Sequence, residues 1–326
     1  MESRKIILLH WIGRFGNRMF LYAFGCQYAK KYNCTFYIPS AWEGTSVFVD
    51  NEYVKIIPDD ELRLRINQTD PRMDTVEYRK QSLMDYNKRT NDNVEYVTTQ
   101  RQMLGKSNIA FDDLHCMYFA DLFNIMETSF IREIFEFNNE VKQSVLYQEL
   151  EQLKGKYSAI HWRRGDIAMS TYKGAHSLIS LSSIQNAISK WCPVSDRSDV
   201  IWVSDDALYR TKTYKSINIQ QWINKSKGKT KWSYPVGEHS IPEIFFDWMP
   251  EFLILYFSKR LFRGNSSFSW WASILGDMET YSPKIESKPN GKRNVFHEMN
   301  SEYVPGNCEH FMGSKEEGFY DIKFLS

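Results

Sequence analysis

Short apolar runs alternate with segments of helical periodicity in two separate blocks of this sequence, and this alternation limits the fold more than any other feature. In the first block, KIILLHWI (5–12) predicts a buried strand that runs into the turn GRFGN (13–17). Apolar side chains then recur at helical spacing until CTFYIP (34–39) predicts a second strand. A strand–helix–strand unit of this kind builds parallel α/β sheets, whereas residues 40–110 are polar and irregular and predict little regular structure.

The second block begins near residue 155, after a predicted helix over 127–153. Its predicted elements alternate again, and in chain order they are strand YSAIHW (157–162), helix SLSSIQNAISKW (180–191), strand DVIWVSDD (199–206), helix ALYRTKTY (207–214), helix PEFLILYFSK (250–259), strand RLFRG (260–264) and a helix that opens at NSSFSWWAS (265–273). At 326 residues the chain is long enough for two domains. We therefore predict an α/β protein with two Rossmann-like domains, 1–154 and 155–326, that face one another across a cleft, with residues 282–326 wrapped over the surface.

The balance of charge argues against partners that are recognised through a strong overall field. Lys and Arg number 41 and Asp and Glu number 40, so the net charge of +1 favours neither nucleic acid nor an anionic membrane. Any anion that binds must be held by a local cluster. Five scattered cysteines without metal-ligand spacing argue against a disulfide framework or a zinc site and favour a reducing compartment. The first apolar run is far shorter than the ~20 residues that cross a bilayer and has no cleavage site, so we expect a cytoplasmic protein.

Charged residues follow the predicted strand at 157–162 directly, in the sequence HWRRGD (161–166). An arginine guanidinium is a planar fork that binds a phosphate through two hydrogen bonds, so Arg163 and Arg164 are candidate phosphate ligands and Asp166 is a candidate for orienting one of them. A solvated surface turn with an internal Arg–Asp pair explains the same residues. An adhesion motif of the Arg-Gly-Asp type is disfavoured, because an apolar strand leads into it instead of a flexible loop.

Two further segments place polar residues next to a predicted helix start. Arg14 and Asn17 occupy the tight turn after the first strand, where backbone amides and the helix dipole favour an anion, although such a turn also serves simply to connect strand and helix. Asn265, Ser266 and Ser267 are residues typical of a helix N-cap, and their hydroxyls together with first-turn amides are able to bind a diphosphate. An ordinary capped helix with an aromatic core face is the alternative.

Two carboxylates are further candidates for a ligand contact. Asp205, in the SDD that ends the strand at 199–206, suits either a ligand contact or a helix N-cap. Glu251 follows Pro250 at the start of a predicted helix, where a negative charge is in any case favourable to the helix dipole.

The order of these motifs resembles that of the α1,2-fucosyltransferase family and of the broader group that contains the α1,6- and protein O-fucosyltransferases. GRFGNRMFLYAFG (13–25) is similar to the family's G-x-x-G-N-Q-M-F-x-Y-A opening, and H-x-R-R-G-D, S-D-D and N-S-S-F-S-W-W follow in the family's order. The match runs discontinuously from about residue 5 to 276. The resemblance implies a GT-B fold and an inverting transfer of L-fucose from GDP-fucose to a sugar hydroxyl of a glycan acceptor, without a metal or other cofactor.

The resemblance also implies roles for individual residues. Arg163 is the main ligand of the departing diphosphate, with Arg164 and Asp166 in support, and Arg14 and Asn17 lie on the acceptor side of the reacting centre. Glu251 reads the guanine base. The residues that bind the donor are His161, Arg163, Arg164, Asp205, Glu251, Asn265, Ser266, Ser267 and Phe268.

Two positions depart from the family's pattern, since Arg18 stands where the family has Gln and Glu251 stands where it has Asp.

Two alternatives to a fucosyltransferase stay open. One is a related glycosyltransferase that uses another nucleotide sugar, such as a UDP-sugar, and the other is a non-catalytic nucleotide- or glycan-binding relative. His10 and Asp166 are the candidates for a catalytic base, and a strongly dissociative reaction needs none.

Overall fold

The computed structural model describes residues 5–8, 14–40, 42–58, 94–97, 128–165, 178–215, 217–226, 246–284, 298–306, 308–309 and 320–321. The chain divides into two compact units, Met1–Phe137 and Asn138–Ser326. Each unit contains a sheet of parallel strands with helices between them, so the α/β class and the pair of Rossmann-like units predicted from the sequence are confirmed. A GT-B fold consists of two Rossmann-like units of this kind.

The first unit is built on a four-stranded parallel sheet with the strand order β3-β2-β1-β4. The sequence predicted two of these strands and missed the other two. β3 and β4 are only four residues long, and each contains a charged residue, Lys55 or Glu95, that interrupts the apolar run. The described elements of this unit are β1 (Lys5–Leu8), α1 (Phe15–Tyr32), β2 (Thr35–Pro39), a 3₁₀ turn (Glu43–Ser46), β3 (Val54–Ile57), β4 (Val94–Val97) and α2 (Thr128–Ile134).

α1 is the crossover helix between β1 and β2, as the sequence predicted. Its buried side chains include Met19, Ala23 and Cys26, and the buried Phe36 of β2 lies beneath it. The helix ends at Asn33, which adopts a left-handed conformation with φ 48° and donates its N–H to the carbonyl of Ala29. This cap turns the chain directly into β2.

The second unit is built on a five-stranded sheet with the order β11-β9-β8-β5-β7, in which only the β11–β9 pair is antiparallel. β5 lies between β8 and β7, and all four of its residues are buried. The described strands of the second unit are β5 (Ser158–His161), β6 (Leu178–Ile179), β7 (Val200–Val203), β8 (Arg260–Phe262), β9 (Glu279–Pro283), β10 (Glu298–Met299), β11 (Tyr303–Pro305), β12 (Cys308–Glu309) and β13 (Tyr320–Asp321). Outside the five-stranded sheet, β6 pairs with β10 and β12 pairs with β13.

Helices cover this sheet and complete its core. They are α3 (Asn139–Gln143), α4 (Val145–Glu151), α5 (Leu181–Trp191), α6 (Ile219–Ser226), α7 (Met249–Tyr256) and α8 (Ser267–Leu275), with a 3₁₀ turn at Val194–Asp196. Ile160 and Phe262 of the sheet pack in one buried cluster with Ile184 and Ala187 of α5. Among the described residues, none of the helices combines the length and apolarity that a bilayer crossing requires.

Three sequence predictions differ from the structure. The single helix expected over 127–153 is three helices, because Asn138 and Ser144 each leave the helical path and accept an N–H from a residue three positions on, which starts a new helix. The helix expected over 207–214 is a series of turns, in which the Asp206 carboxylate accepts the N–H of Leu208. The described parts of 282–326 do more than wrap the surface, since β11 is a strand of the main sheet and its Tyr303 is buried.

The boundary between the units also lies earlier than the predicted 154/155. α3 and α4 belong to the second unit. The ring of Tyr147 in α4 packs edge-on against Phe257 at 5.0 Å, and Trp222 of α6 donates to the carboxylate of Glu149 at 2.9 Å. These contacts join α4, which precedes β5, to α6 and to the end of α7, which follow it.

Candidate functional site

The carboxyl ends of β5, β7 and β8 meet at one edge of the second unit's sheet, because the three strands are neighbours and parallel. The loops that leave this edge carry the candidate residues of HWRRGD, SDD and NSSFSWW. In open α/β sheets, ligands bind outside the carboxyl ends of the strands. The structure thus brings three motifs that are far apart in sequence to one edge.

The guanidinium of Arg163 reaches the first turn of α8. Its Nη1 donates to the Ser266 hydroxyl at 3.5 Å, although 103 residues separate the two along the chain. Ser266 is the N-cap of α8, and its Oγ accepts the N–H of Phe268 at 3.3 Å. A cation and the N-terminus of a helix therefore meet at the same point, which is a suitable environment for a phosphate group.

A tight turn brings α8 close to β5. The Ser266 N–H donates to the Gly264 carbonyl at 2.9 Å, and a Cβ on Gly264 would lie 2.7 Å from the main-chain oxygen of His161. That distance is too short for any side chain, so glycine is required at position 264 by the close approach of the two loops. Asn265 and Ser267, which flank the capping serine, are half-buried beside it.

His161 is a buried, uncharged member of the site. Burial, assisted by the positive charges of Arg163 and Arg263, lowers the pKa of its imidazole to about 3. Its ring lies 5.7 Å from that of Phe268, which in turn packs edge-on against Phe252 at 5.2 Å. At neutral pH the imidazole therefore contributes a neutral polar group beside Arg163, and it carries no charge of its own to a bound anion.

Asp205 holds the loop that carries the two arginines. Its Oδ1 accepts the main-chain N–H of Arg164 at 2.6 Å, and its carboxylate packs against Gly165. The guanidinium of Arg164 lies 4.7 Å from the ring of Trp162, which is cation–π geometry. These contacts order the turn after β5, and the predicted contact of Asp205 with a nucleotide stays a prediction.

Glu251 lies in the first turn of α7, where the sequence placed it, with Pro250 at the start of that helix. Its side chain is 24% exposed, but its Oε1 is shielded from solvent and lies 3.4 Å from Nη2 of Arg210. Burial, opposed by Arg210 and assisted by Asp205 and Asp247, raises the pKa of the Glu251 carboxyl to about 7.

Sequence reasoning did not find Arg210. It assigned the segment that contains this arginine to a helix, whereas the structure shows a turn whose Arg210 Nε donates to the carbonyl of Ser204 at 2.7 Å. The signal in the sequence that could have indicated Arg210 was its position as a basic residue shortly after the SDD segment.

The remaining candidates lie in the first unit or outside the described residues. Arg14 is exposed at the position that precedes α1, and its carbonyl accepts the N–H of Asn17 at 3.0 Å. Arg18, one of the two departures from the fucosyltransferase pattern, forms a 3.0 Å ion pair with Glu43 in which each side chain is only 12% exposed. The predicted residues His10 and Asp166 lie outside the described residues.

No group of three or more His, Cys, Asp or Glu side chains that would hold a metal ion occurs within the described ranges. The candidate residues of the second unit that the structure describes offer a ligand cations, hydroxyls, amides and the carboxylate of Glu251, whose Oε1 is buried.

The chain resembles several glycosyltransferases of known structure. A point mutant of Arabidopsis thaliana FUT1 in complex with GDP has a TM-score of 0.46 and 14% identity, over 86% of this chain and 70% of that chain. The fucosyltransferase NodZ from Bradyrhizobium has a TM-score of 0.46 and 15% identity, over 93% of this chain and 99% of that chain. POFUT1 in complex with GDP-fucose has a TM-score of 0.39 and 12% identity, over 85% of this chain and 96% of that chain. No protein-family model and no curated protein sequence matches the chain.

Proposed function

We propose that the protein is a glycosyltransferase of GT-B type that transfers L-fucose from GDP-fucose to a sugar hydroxyl of a glycan, with inversion and with α1,2 linkage. The observation that supports this most is the contact between Arg163 and Ser266, which joins a guanidinium to the N-terminus of α8 at the carboxyl edge of the sheet. The order of the motifs in the sequence, which resembles that of the α1,2-fucosyltransferases, supplies the choice of sugar and linkage.

The chemistry assigned to this contact is stabilisation of a leaving group. As the bond between the sugar C1 and the phosphate oxygen breaks, negative charge grows on the β-phosphate and positive charge grows on the sugar ring. Donors that are already in place stabilise such charge without reorganisation, and this effect is usually the largest single part of catalysis. Arg163, the hydroxyls of Ser266 and Ser267, and the first-turn amides of α8 are the donors we assign to the diphosphate, with Arg164 in support.

The base of the nucleotide is assigned to Glu251. An ionised carboxylate accepts hydrogen bonds only, and guanine presents two donors side by side, N1–H and the exocyclic amine. Uracil lacks such a pair. Guanine is therefore the base expected to be selected, with the additional methylene of glutamate relative to aspartate taken up by a different rotamer or a slight shift of α7.

The acceptor side is assigned to the first unit, through Arg14 and Asn17, and Asp166 is assigned to the support of Arg163. A dissociative reaction develops most of its charge before the acceptor hydroxyl loses its proton, so a strong base is unnecessary. No metal is assigned to the reaction, because arginine and helix amides neutralise the diphosphate.

A donor-hydrolysis screen tests this proposal. The protein is incubated separately with GDP-fucose, GDP-mannose, UDP-galactose and UDP-N-acetylglucosamine, and the release of nucleoside diphosphate is measured. We expect release from GDP-fucose above all others, followed by a search for the acceptor with that donor. Preferential release from a UDP-sugar would support the alternative transferase, and release from none, with binding retained, would support a non-catalytic relative.

The same assay tests the role of Arg163. Arg163→Lys should lower turnover at least ~10²–10³-fold, because a point-like ammonium cannot replace the planar fork of a guanidinium. Arg197→Lys is the matched control, since Arg197 donates to the carbonyls of Ser189 and Cys192 at the end of α5, away from the candidate site. Near-normal turnover of Arg163→Lys would refute the assignment.

A further inference from the structure

We infer that Arg210 is a positioning residue for the nucleotide base, which directs the Glu251 carboxylate and favours its ionised form, and so sets the preference for guanine over uracil. The inference rests on the proposed function, because it takes Glu251 as the group that contacts the base. It goes beyond that function by assigning specificity to a residue that the sequence motifs do not contain.

Arg210 is fixed before any ligand binds. Its Nε–H donates to the Ser204 carbonyl at 2.7 Å, and its main-chain N–H donates to the Asp206 carbonyl at 3.2 Å. Ser204 is itself buried, and its hydroxyl donates at 2.7 Å to the carbonyl of Trp162, the residue that follows strand β5. The guanidinium is thus tied to the sheet through two successive hydrogen bonds.

The fixed guanidinium faces one oxygen of Glu251. Its Nη2 lies 3.4 Å from Oε1, which is shielded from solvent, so the 24% exposure of this side chain comes from its other atoms. A carboxylate has about four lone-pair sites, so an Arg210 contact on one side leaves sites for the two donors of guanine. The ion pair therefore orients the carboxylate without occupying it.

The charges around Glu251 make this cation necessary. Asp205, on the same loop as Arg210, and Asp247, just before α7, both disfavour the ionised form, and so does burial. Together they raise the pKa of the Glu251 carboxyl to about 7 in spite of Arg210, which favours the ionised form. Without Arg210 the pKa of this carboxyl would be higher, and a larger fraction of it would be protonated at neutral pH. A protonated carboxyl carries a donor of its own and no longer accepts from both guanine donors.

The experiment measures the Kd of GDP and of UDP by titration calorimetry between pH 5.5 and 8.5, for the wild type, Arg210→Met, Arg210→Lys and Glu251→Gln. UDP carries the same diphosphate, so the ratio of the two Kd values cancels the titration of the phosphates and of the groups that contact them. In the wild type, the preference for GDP should appear as pH rises through about 7. Glu251→Gln should abolish both the preference and its dependence on pH.

Arg210→Met should move the midpoint of this profile upward by at least about one pH unit, which is the usual influence of one nearby opposite charge, and should lower the GDP affinity at pH 7 at least about fivefold. Its UDP affinity should be unchanged. Arg210→Lys retains the cation but not the Nε contact, and it should fall between the two. Circular dichroism without nucleotide checks the fold of each variant, and Arg210→Lys carries the test if Arg210→Met does not fold.

An unchanged midpoint in the Arg210 variants, with the preference for GDP intact, would overturn the inference and leave an ion pair that serves stability alone. Tighter GDP binding by Arg210→Met at every pH would also overturn it, since the arginine would then compete with the base. If the wild type itself does not distinguish GDP from UDP at any pH, the proposed donor is wrong instead. The two failures are thus separate results.

Discussion

Replacing Gly165 by alanine should destabilise the protein, because the carboxylate of Asp205 fills the space that the new methyl group would need. A Cβ on Gly165 would overlap Oδ2 of Asp205 and would lie 2.9 Å from its Cγ. The carboxylate cannot withdraw freely, since its Oδ1 accepts the N–H of Arg164 at 2.6 Å. The substitution therefore forces the loss of this hydrogen bond or a shift of the loop.

The magnitude follows from two opposing contributions. A hydrogen bond to a charged group contributes about 1.5–3 kcal/mol, and the exposure of Asp205 places this one near the lower value. Gly165 does not adopt a left-handed conformation, so alanine fits its backbone and restricts the unfolded chain, which stabilises the protein by about 0.4–1 kcal/mol. The net expectation is a loss of about 1 kcal/mol in the free energy of unfolding.

A double-mutant cycle with Asp205→Ala isolates the cause. In the Asp205→Ala background both the overlap and the hydrogen bond are already absent, and the Cβ at position 205 lies at an ordinary 3.4 Å. Gly165→Ala should then stabilise the protein by about 0.4–1 kcal/mol, so the sign of its effect reverses. Urea unfolding monitored by circular dichroism gives the four free energies. Equal destabilisation by Gly165→Ala in both backgrounds would refute the role assigned to Asp205.

Three further predictions concern the cap, the buried carboxylate and the metal. Ser266→Ala should cost about 1 kcal/mol of stability, whereas Ser266→Gly should cost only a few tenths, because alanine removes the cap of α8 without the backbone freedom of glycine. Urea unfolding measures both losses, and equal losses would contradict the capping role. The raised pKa of Glu251 means that its favourable contribution to stability is complete below pH 4.5 and is lost as pH rises through about 7. Between those limits the wild type should lose up to about 3 kcal/mol in the free energy of unfolding relative to Glu251→Gln, in melting curves recorded across pH. A difference between the two proteins that does not change with pH would refute the shift. Transfer should continue at its normal rate in EDTA, and loss of activity that Mg²⁺ or Mn²⁺ restores would instead indicate a metal at Asp205 and Asp206.

The sequence predicted those elements whose periodicity was undisturbed and failed where local polar contacts decide the structure. The strand at Ser158–His161 and the helix capped by Ser180 lie where apolar spacing and a serine start indicated them. The helices around Asn138 and Ser144 are separated by side-chain caps, which compete with helix continuation in a way that apolar spacing does not reveal.

The contacts between the candidate residues could not be predicted from the sequence. Arg163 and Ser266 were both selected from the sequence, but their contact depends on the parallel pairing of β5 with β8, which is a property of the folded sheet. The contact of Arg210 with Glu251 depends on a turn where the sequence analysis predicted a helix, and the burial that raises the pKa of that carboxyl arises only when α7 packs on the sheet. Pairwise contacts of this kind require the three-dimensional arrangement.

The most direct test of the account is a crystal structure of the protein with GDP. It tests the central claim that the guanidinium of Arg163 and the N-terminus of α8 form a single site for the diphosphate. We predict the β-phosphate within hydrogen-bond distance of Arg163 and of the first-turn amides that follow Ser266, with the guanine edge on the carboxylate of Glu251. A diphosphate bound away from both Arg163 and Ser266 would contradict the account, whatever the position of the base.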